Sequence, residues 1–212
     1  MDLFLTAVSG LAWTLVYVSA IRTGFAQRTY AMPVAALALN FAWETTYAVT
    51  EWQHGPSLQG VVNVVWALAD VAIVHTYLAY GRAEFPAFLT RSLFAGWNVL
   101  LFGTAFALQW LFLAHFGLHD ASRYSAFLQN LLMSVLFIAM FASRAGGRGQ
   151  TLTIAVSKWL GTLAPTILFG VLEDAPFILA LGLLCSAFDL AYIGLLLRDR
   201  RERSAAPATR GG

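Results

Sequence analysis

Glu44 stands inside LNFAWETTY, residues 39–47, a carboxyl within a run dominated by apolar and weakly polar side chains. Four further ionisable residues interrupt comparable apolar runs: Asp70, His75, Lys158 and Asp189. Burying such a group in hydrocarbon costs roughly 2.5–3.5 kcal/mol on insertion scales, so it usually faces an interior that holds a partner or a task for it. A carboxyl in a dry, low-dielectric site favours its neutral form and can then donate a proton at neutral pH. An acid of this kind can protonate a terminal alkene or open an epoxide. Glu44 and Asp189 are the candidate general acids, one donating the proton and the other positioning it or taking up the final one. The sequence leaves that assignment open.

Residues three and four apart share a helix face. Asn40, Trp43, Glu44 and Tyr47 form one stripe, Asn63, Trp66 and Asp70 a second, and Cys185, Asp189 and Tyr192 a third. Each carboxyl therefore travels with an aromatic ring, and an aromatic face stabilises a nearby cation by about 0.5–2 kcal/mol where water is excluded. Trp43, Tyr47, Trp66 and Tyr192 are the candidate cation-stabilising rings, and Asn40, Asp70, Asn130 and Lys158 the candidate polar lining of the same cavity. Structural roles compete with these. Asp70 and Lys158 are a candidate buried ion pair, which would leave Glu44 and Asp189 unmatched. His75, near a helix end, reads as a structural hydrogen-bonding residue. Trp13, Trp52, Trp97 and Trp110 read as interface anchors or packing residues, and Cys185 as a small core residue.

These side chains need elements that hold them at membrane depth. The chain has 212 residues, 59% hydrophobic and 11% charged, with a mean hydropathy of +0.68, which excludes a water-soluble globule. A bilayer-spanning helix takes roughly 20 mostly apolar residues. Stretches of that length are expected at Leu3–Ile21, Tyr30–Thr50, Leu58–Tyr80, Leu93–Phe116, Ser122–Ala142, Thr151–Leu172 and Asp174–Leu197. The expected fold is all-α: a polytopic bundle of seven transmembrane helices over residues 1–197, followed by a basic, disordered tail over 198–212. The first span lacks a basic leader and a small-residue cleavage site, so it reads as a permanent helix rather than a signal peptide.

Eleven of the thirteen basic residues fall in alternate loops and in the tail, which predicts an N-out, C-in topology. The net charge of +2 is that topological signal and excludes a nucleic-acid partner, because the arginines are dispersed over short loops. The single cysteine excludes intramolecular disulfides and cysteine metal sites. Counting helical rise from the basic side places Glu44, Asp70, Asp189 and Lys158 at about 21, 15, 12 and 10 Å, all within the hydrocarbon slab.

The segments NFAWE (40–44), VVWALADVAIV with Trp66 and Asp70, QNLLMS (129–134), SKWLGTLAPT (157–166) and FDLAY (188–192) together resemble the small integral-membrane terpene cyclases. That family includes fungal meroterpenoid and indole-diterpene cyclases and actinobacterial relatives acting on farnesylated indoles of the drimentine type. The resemblance runs in order along nearly the whole chain. It implies that Glu44 and Asp189 are essential acids, and that the protein is a cyclase without metal or cofactor, of the isomerase or lyase type. The aspartate-rich DDxxD and DxDD clusters of other terpene cyclases are absent from the sequence, and FDLAY has one Asp. The implied partners are a lipophilic prenylated small molecule, a farnesylated indole or other aromatic, and the lipid bilayer, with no obligate protein partner. The implied setting is the bacterial cytoplasmic membrane. The aromatic positions are not carried over from the family; their roles rest on the cation chemistry above.

The competing class is a small proton-coupled or SWEET-like seven-helix transporter. Against it, the sequence has no PQ dipeptide, no three-helix repeat and no pair of broken helices. A retinal protein would need its Schiff-base lysine on the last span, whereas Lys158 lies on the sixth.

Overall fold

In the computed structural model, residues 1–55, 57–144 and 147–205 are described, and the regular structure among them is helical throughout. The order is α1 (Asp2–Gln27), α2 (Val34–His54), α3 (Leu58–Tyr80) with a 3-10 turn at Gly81–Glu84, α4 (Arg91–Ser143), α5 (Leu152–Pro165) continuing as a π-helix over Thr166–Leu172, and α6 (Pro176–Ala205). Three starts are capped by hydroxyls that accept a backbone N–H from three residues on: Ser57 from Gly60, Thr90 from Leu93 and Thr151 from Ile154. Each gives an acceptor to one of the first-turn N–H groups that has no helical acceptor. α2 begins at Val34 rather than at the expected Tyr30, because Pro33 is its N-cap with φ −56° and ψ 131°.

Five helical stretches are long and apolar enough to cross a membrane: Asp2–Gln27, Leu58–Glu84, Arg91–Ser143, Leu152–Leu172 and Pro176–Ala205. That differs from the seven spans expected, for two physical reasons. The expected fourth and fifth spans are both inside α4, whose 53 residues would extend about 80 Å if straight. It is not straight. Gly117 has φ 72° and ψ 172°, a conformation open to glycine alone. Gln109 Nε2 donates to Gln129 Oε1 at 3.0 Å, whereas twenty residues of unbroken helix would hold those positions about 30 Å apart. The element therefore doubles back at Gly117, and Tyr124 of the returning arm meets Phe116 edge to face. The second reason is α2, which has the length but carries Asn40, Glu44, Glu51 and three threonines among its 21 residues. Its position explains the polarity. α2 packs against both α3 and α4, and Ala36, Leu37, Ala38 and Ala42 are wholly buried.

The remaining contacts join α1 to α3 and α5, and α6 to α4, α5 and the π-helix. Pro165 cannot donate to the carbonyl of Gly161, four residues earlier. Ser9 of α1 donates its hydroxyl to that carbonyl at 2.8 Å, and the backbone then widens into the π-helical turns. Burial is inverted relative to a protein in water: Val99 is 76% exposed while Lys158 and Asp70 are 0% exposed. Apolar residues face out and ionisable ones face in, as a bilayer solvent dictates.

Beyond the membrane-length segment, residues 198–205 continue α6 as helix, held by the Arg198–Glu202 and Arg203–Asp199 pairs one turn apart. The disorder expected from residue 198 does not hold over that stretch. Residues 206–212 of the expected tail lie outside the described residues.

Candidate active site

Two buried polar clusters occupy the bundle. The first joins α1, α2 and α3. Asn40 and Glu44 sit one turn apart on α2, so both side chains leave the same face. The Asn40 amide donates to the Tyr17 hydroxyl at 2.6 Å and to Asp70 Oδ2 at 2.8 Å. Tyr17 in turn donates to Glu44 Oε1 at 3.3 Å. All four residues are at most 5% exposed. Glu44 Oε2 and Asp70 Oδ1 are buried without a hydrogen-bond partner, and among the described residues no cationic group pairs with either carboxyl. Trp66 stacks on Tyr17 with ring centroids 5.8 Å apart and an interplanar angle of 27°, its indole N–H directed at Thr14 Oγ1 at 3.4 Å.

The second cluster joins α4, α5 and α6. Lys158 Nζ donates to both oxygens of Asp189, at 2.9 and 3.0 Å, and to Ser134 Oγ at 2.7 Å, so its three N–H donors all have acceptors. Asp189 is 1% exposed. Three residues on, Tyr192 stacks on Phe137 at 5.3 Å and donates to Gln150 Oε1 at 2.6 Å.

The pairing corrects the sequence expectation. Lys158 is matched by Asp189 and not by Asp70, so the uncompensated acids are Glu44 and Asp70. The reason is lateral order: α5 packs beside α6 and α1, while α3 packs beside α1 and α2. The premise of two unmatched carboxyls on α2 and α6 fails for the α6 member.

Trp43 and Tyr47 make their polar and ring contacts apart from both clusters. The rings of Trp43 and Tyr47 are in contact, with centroids 4.9 Å apart and an interplanar angle of 44°. Trp43 donates to the Ser122 carbonyl at 3.0 Å and Tyr47 lies 3.3 Å from Ser125 Oγ, which ties α2 to the returning arm of α4. On that arm the side-chain oxygen of Asn130 is buried without a partner. His75 is not part of the site: it is exposed and stacks on Phe25. Cys185 is buried and free. One contiguous apolar cluster links the two polar ones, containing Tyr17 and Ile73 beside the first and Met133, Phe137 and Tyr192 beside the second.

Two participants were missed from sequence. Tyr17 bridges Asn40 and Glu44; the expected first span, Leu3–Ile21, put it one turn from the end, where an aromatic reads as an interface residue, whereas α1 runs on to Gln27. Ser134 completes the Lys158 shell, and a lone serine in QNLLMS carries no comparable mark.

The family model of the Pyr4-like transmembrane terpene cyclases matches residues 1–172, ending where the π-helix ends and before α6. Terpene cyclase pyr4 of Aspergillus fumigatus is 30% identical over 205 residues, covering 91% of this chain and 84% of the relative. The Pyr4-family terpene cyclase mfmH of Annulohypoxylon moriforme is 29% identical over 164 residues, with 76% of this chain and 66% of the relative covered. Terpene cyclase ascF of Acremonium egyptiacum is 28% identical over 169 residues, with 73% and 61% covered. The chain thus spans somewhat less than two thirds of the length of the latter two. No solved structure matches it.

Proposed function

We propose, because the chain belongs to the Pyr4-like transmembrane terpene cyclases, that it starts carbocation cyclisation of a prenylated substrate by proton transfer from Glu44. The fold is an integral membrane bundle and the family is one of cyclising enzymes. The finer reading assigns seven spans, counting the two arms of α4 separately and adding α2, with the N-terminus outside. The fold-back at Gly117 and the burial of α2 support that count, and the alternate basic loops support the orientation.

The observation that carries the mechanism is the first cluster: a buried glutamic acid with one oxygen fixed by Tyr17, the other unpartnered, and no cation to hold it as a carboxylate. In its neutral form Glu44 delivers its proton to the terminal alkene carbon, leaving a tertiary cation, or to an epoxide oxygen, breaking a C–O bond. The Tyr17 hydroxyl then stabilises the carboxylate that remains. Neighbouring double bonds attack in turn, with Tyr17, Trp66, Trp43 and Tyr47 presenting π-faces. Most of the acceleration comes from holding the polyene folded before the cation forms. Asp189, paired with Lys158, is assigned the uptake of the final proton. Even a weakly basic carboxylate suffices there, since a carbocation is an extremely strong acid.

Protonation rather than metal-assisted ionisation is assigned because FDLAY supplies a single Asp and the sequence has no aspartate-rich cluster. The substrate class is a farnesylated indole or another prenylated aromatic, lipophilic enough to enter from the bilayer. The matched relatives are fungal and lend no support to a bacterial membrane as the setting.

The test is expression in membranes with farnesyl-indole and farnesyl-aromatic candidates, comparing wild type with Glu44→Gln and Asp189→Asn. Cyclisation gives an isomer of unchanged mass and altered retention. Full turnover by Glu44→Gln at normal expression would sink the assignment. Movement of unaltered substrate across liposomes would instead indicate a carrier.

A further inference from the structure

One groove on the protein is lined by none of the residues of the two buried clusters. It occupies about 810 Å³ at the end of the bundle that carries the basic loops, and four arginines line it: Arg28, Arg82, Arg91 and Arg148. They come from four separate places in the chain, namely the end of α1, the 3-10 turn, the first residue of α4 and the α4–α5 connection. Glu84 is the only carboxylate in the lining, and it is already engaged. Arg144 reaches its Oε2 at 2.7 Å and the Thr29 hydroxyl donates to its Oε1. Among the described residues no carboxylate pairs with any of the four lining arginines.

Two of the four are placed by the backbone. Arg28 ends α1 in the left-handed region, with φ 50° and ψ 52°, and its carbonyl accepts from Arg148 Nη2 at 3.3 Å. Arg91 opens α4, where the helix dipole favours an anion. The topological rule for basic loops explains why arginines occur at this end. It does not explain their convergence on one concavity, since Arg22 belongs to the same topological set and lies outside the groove. The surroundings are apolar: Leu78 in the wall is 48% exposed and Phe88 on the adjoining loop is 76% exposed.

We propose that this groove binds the phosphate headgroup of an anionic phospholipid, with the guanidinium groups on the phosphate oxygens and Leu78 and Phe88 against the first acyl carbons. A free phosphate would satisfy the arginines but has no use for the apolar rim, which is why the lipid is the occupant chosen.

The test uses the purified full chain in neutral detergent, exchanged with an equimolar mixture of phosphatidylglycerol and phosphatidylcholine. Retained lipid is measured by mass spectrometry, and the unfolding midpoint is measured with phosphatidylglycerol, phosphatidylcholine or inorganic phosphate added. Wild type should retain phosphatidylglycerol selectively and be stabilised by it. The Arg82→Gln/Arg91→Gln double variant should lose about thirtyfold of that preference, the sum expected for two cation contacts at a membrane surface. Arg22→Gln should lose none. Equal retention of the two lipids, undiminished preference in the double variant, or equal stabilisation by inorganic phosphate alone would overturn the proposal. None of these readouts depends on cyclisation, so a failure here leaves the reading of Glu44 intact.

Discussion

The two buried clusters accommodate acids in opposite ways. Around Asp189 the charge is matched: one ammonium meets both carboxylate oxygens, and Ser134 Oγ accepts its remaining N–H. Around Glu44 two acids share a cluster with an amide and a phenol, and one oxygen of each acid is left bare. A closed ion pair resists change, because removing either partner strands a buried charge. A cluster without a cation has no such penalty, and it can house a proton that is free to leave. The matched cluster is thus suited to holding three helices together, and the unmatched one to giving up a proton.

The sharpest way to break this contrast is to neutralise each acid by its amide. Glu44→Gln should lower the cyclisation rate by about 10²–10⁴-fold, the usual worth of a positioned general acid, while the thermal midpoint stays close to wild type. Asp189→Asn should do the reverse in emphasis, destabilising the fold by about 3–5 kcal/mol because Lys158 is left buried and unpaired. Thermal unfolding in detergent, read beside the product assay, separates the two. Replacing both partners, as in Lys158→Met/Asp189→Leu, should recover most of the midpoint, since an apolar pair of similar volume can replace a buried ion pair. If Asp189 also receives the last proton, that double variant should accumulate water-quenched alcohols in place of alkene. Comparable instability in Glu44→Gln and Asp189→Asn would erase the distinction.

The same contrast shows what the sequence made legible. Apolar length located the helices, and the cost of burying charge singled out Glu44, Asp70, Lys158 and Asp189, which are buried, together with His75, which is exposed. The choice of partner for Lys158 was harder, since it depends on which helices are neighbours, and spacing within one helix carries no information about that. Depth alone leaned the right way, placing Lys158 and Asp189 within about 2 Å of each other by helical rise. The fold-back at Gly117 was legible as a boundary near Phe116, but its tightness was not: a single glycine turns the chain where a loop of several residues was expected. The family match adds a further asymmetry, for it spans the whole Glu44 cluster and stops before α6.

Tyr17 sharpens the comparison at smaller amplitude, because its hydroxyl hydrogen-bonds with both Asn40 and Glu44. Tyr17→Phe keeps the ring that stacks on Trp66 but removes the hydroxyl, leaving Glu44 Oε1 without a donor. Losing one hydrogen bond to a developing carboxylate is worth about 1.5–3 kcal/mol, so the rate should fall by roughly 10–150-fold while binding of substrate changes little. A change in KM with unaltered kcat would show that the hydroxyl contacts the ground-state substrate instead of Glu44.

The smallest expected effect belongs to Trp66, and it separates cation stabilisation from packing. Trp66 is only partly buried, and its indole N–H reaches Thr14 across a long 3.4 Å, so that hydrogen bond contributes little. What the ring offers the first cluster is its face, stacked on Tyr17 at an interplanar angle of 27°. Trp66→Phe retains an aromatic face of weaker potential and should cost only a few-fold in rate, whereas Trp66→Leu removes the face and should cost about 10-fold, between the exposed and the desolvated values for a cation–π contact, as suits a half-buried ring. Both variants should unfold at similar temperatures, because each keeps an apolar side chain against lipid and neighbour. A graded loss from Trp to Phe to Leu at constant stability therefore reports a cation passing the first cluster. Equal rates for Phe and Leu would confine Trp66 to packing and move the cation path towards Trp43 and Tyr47.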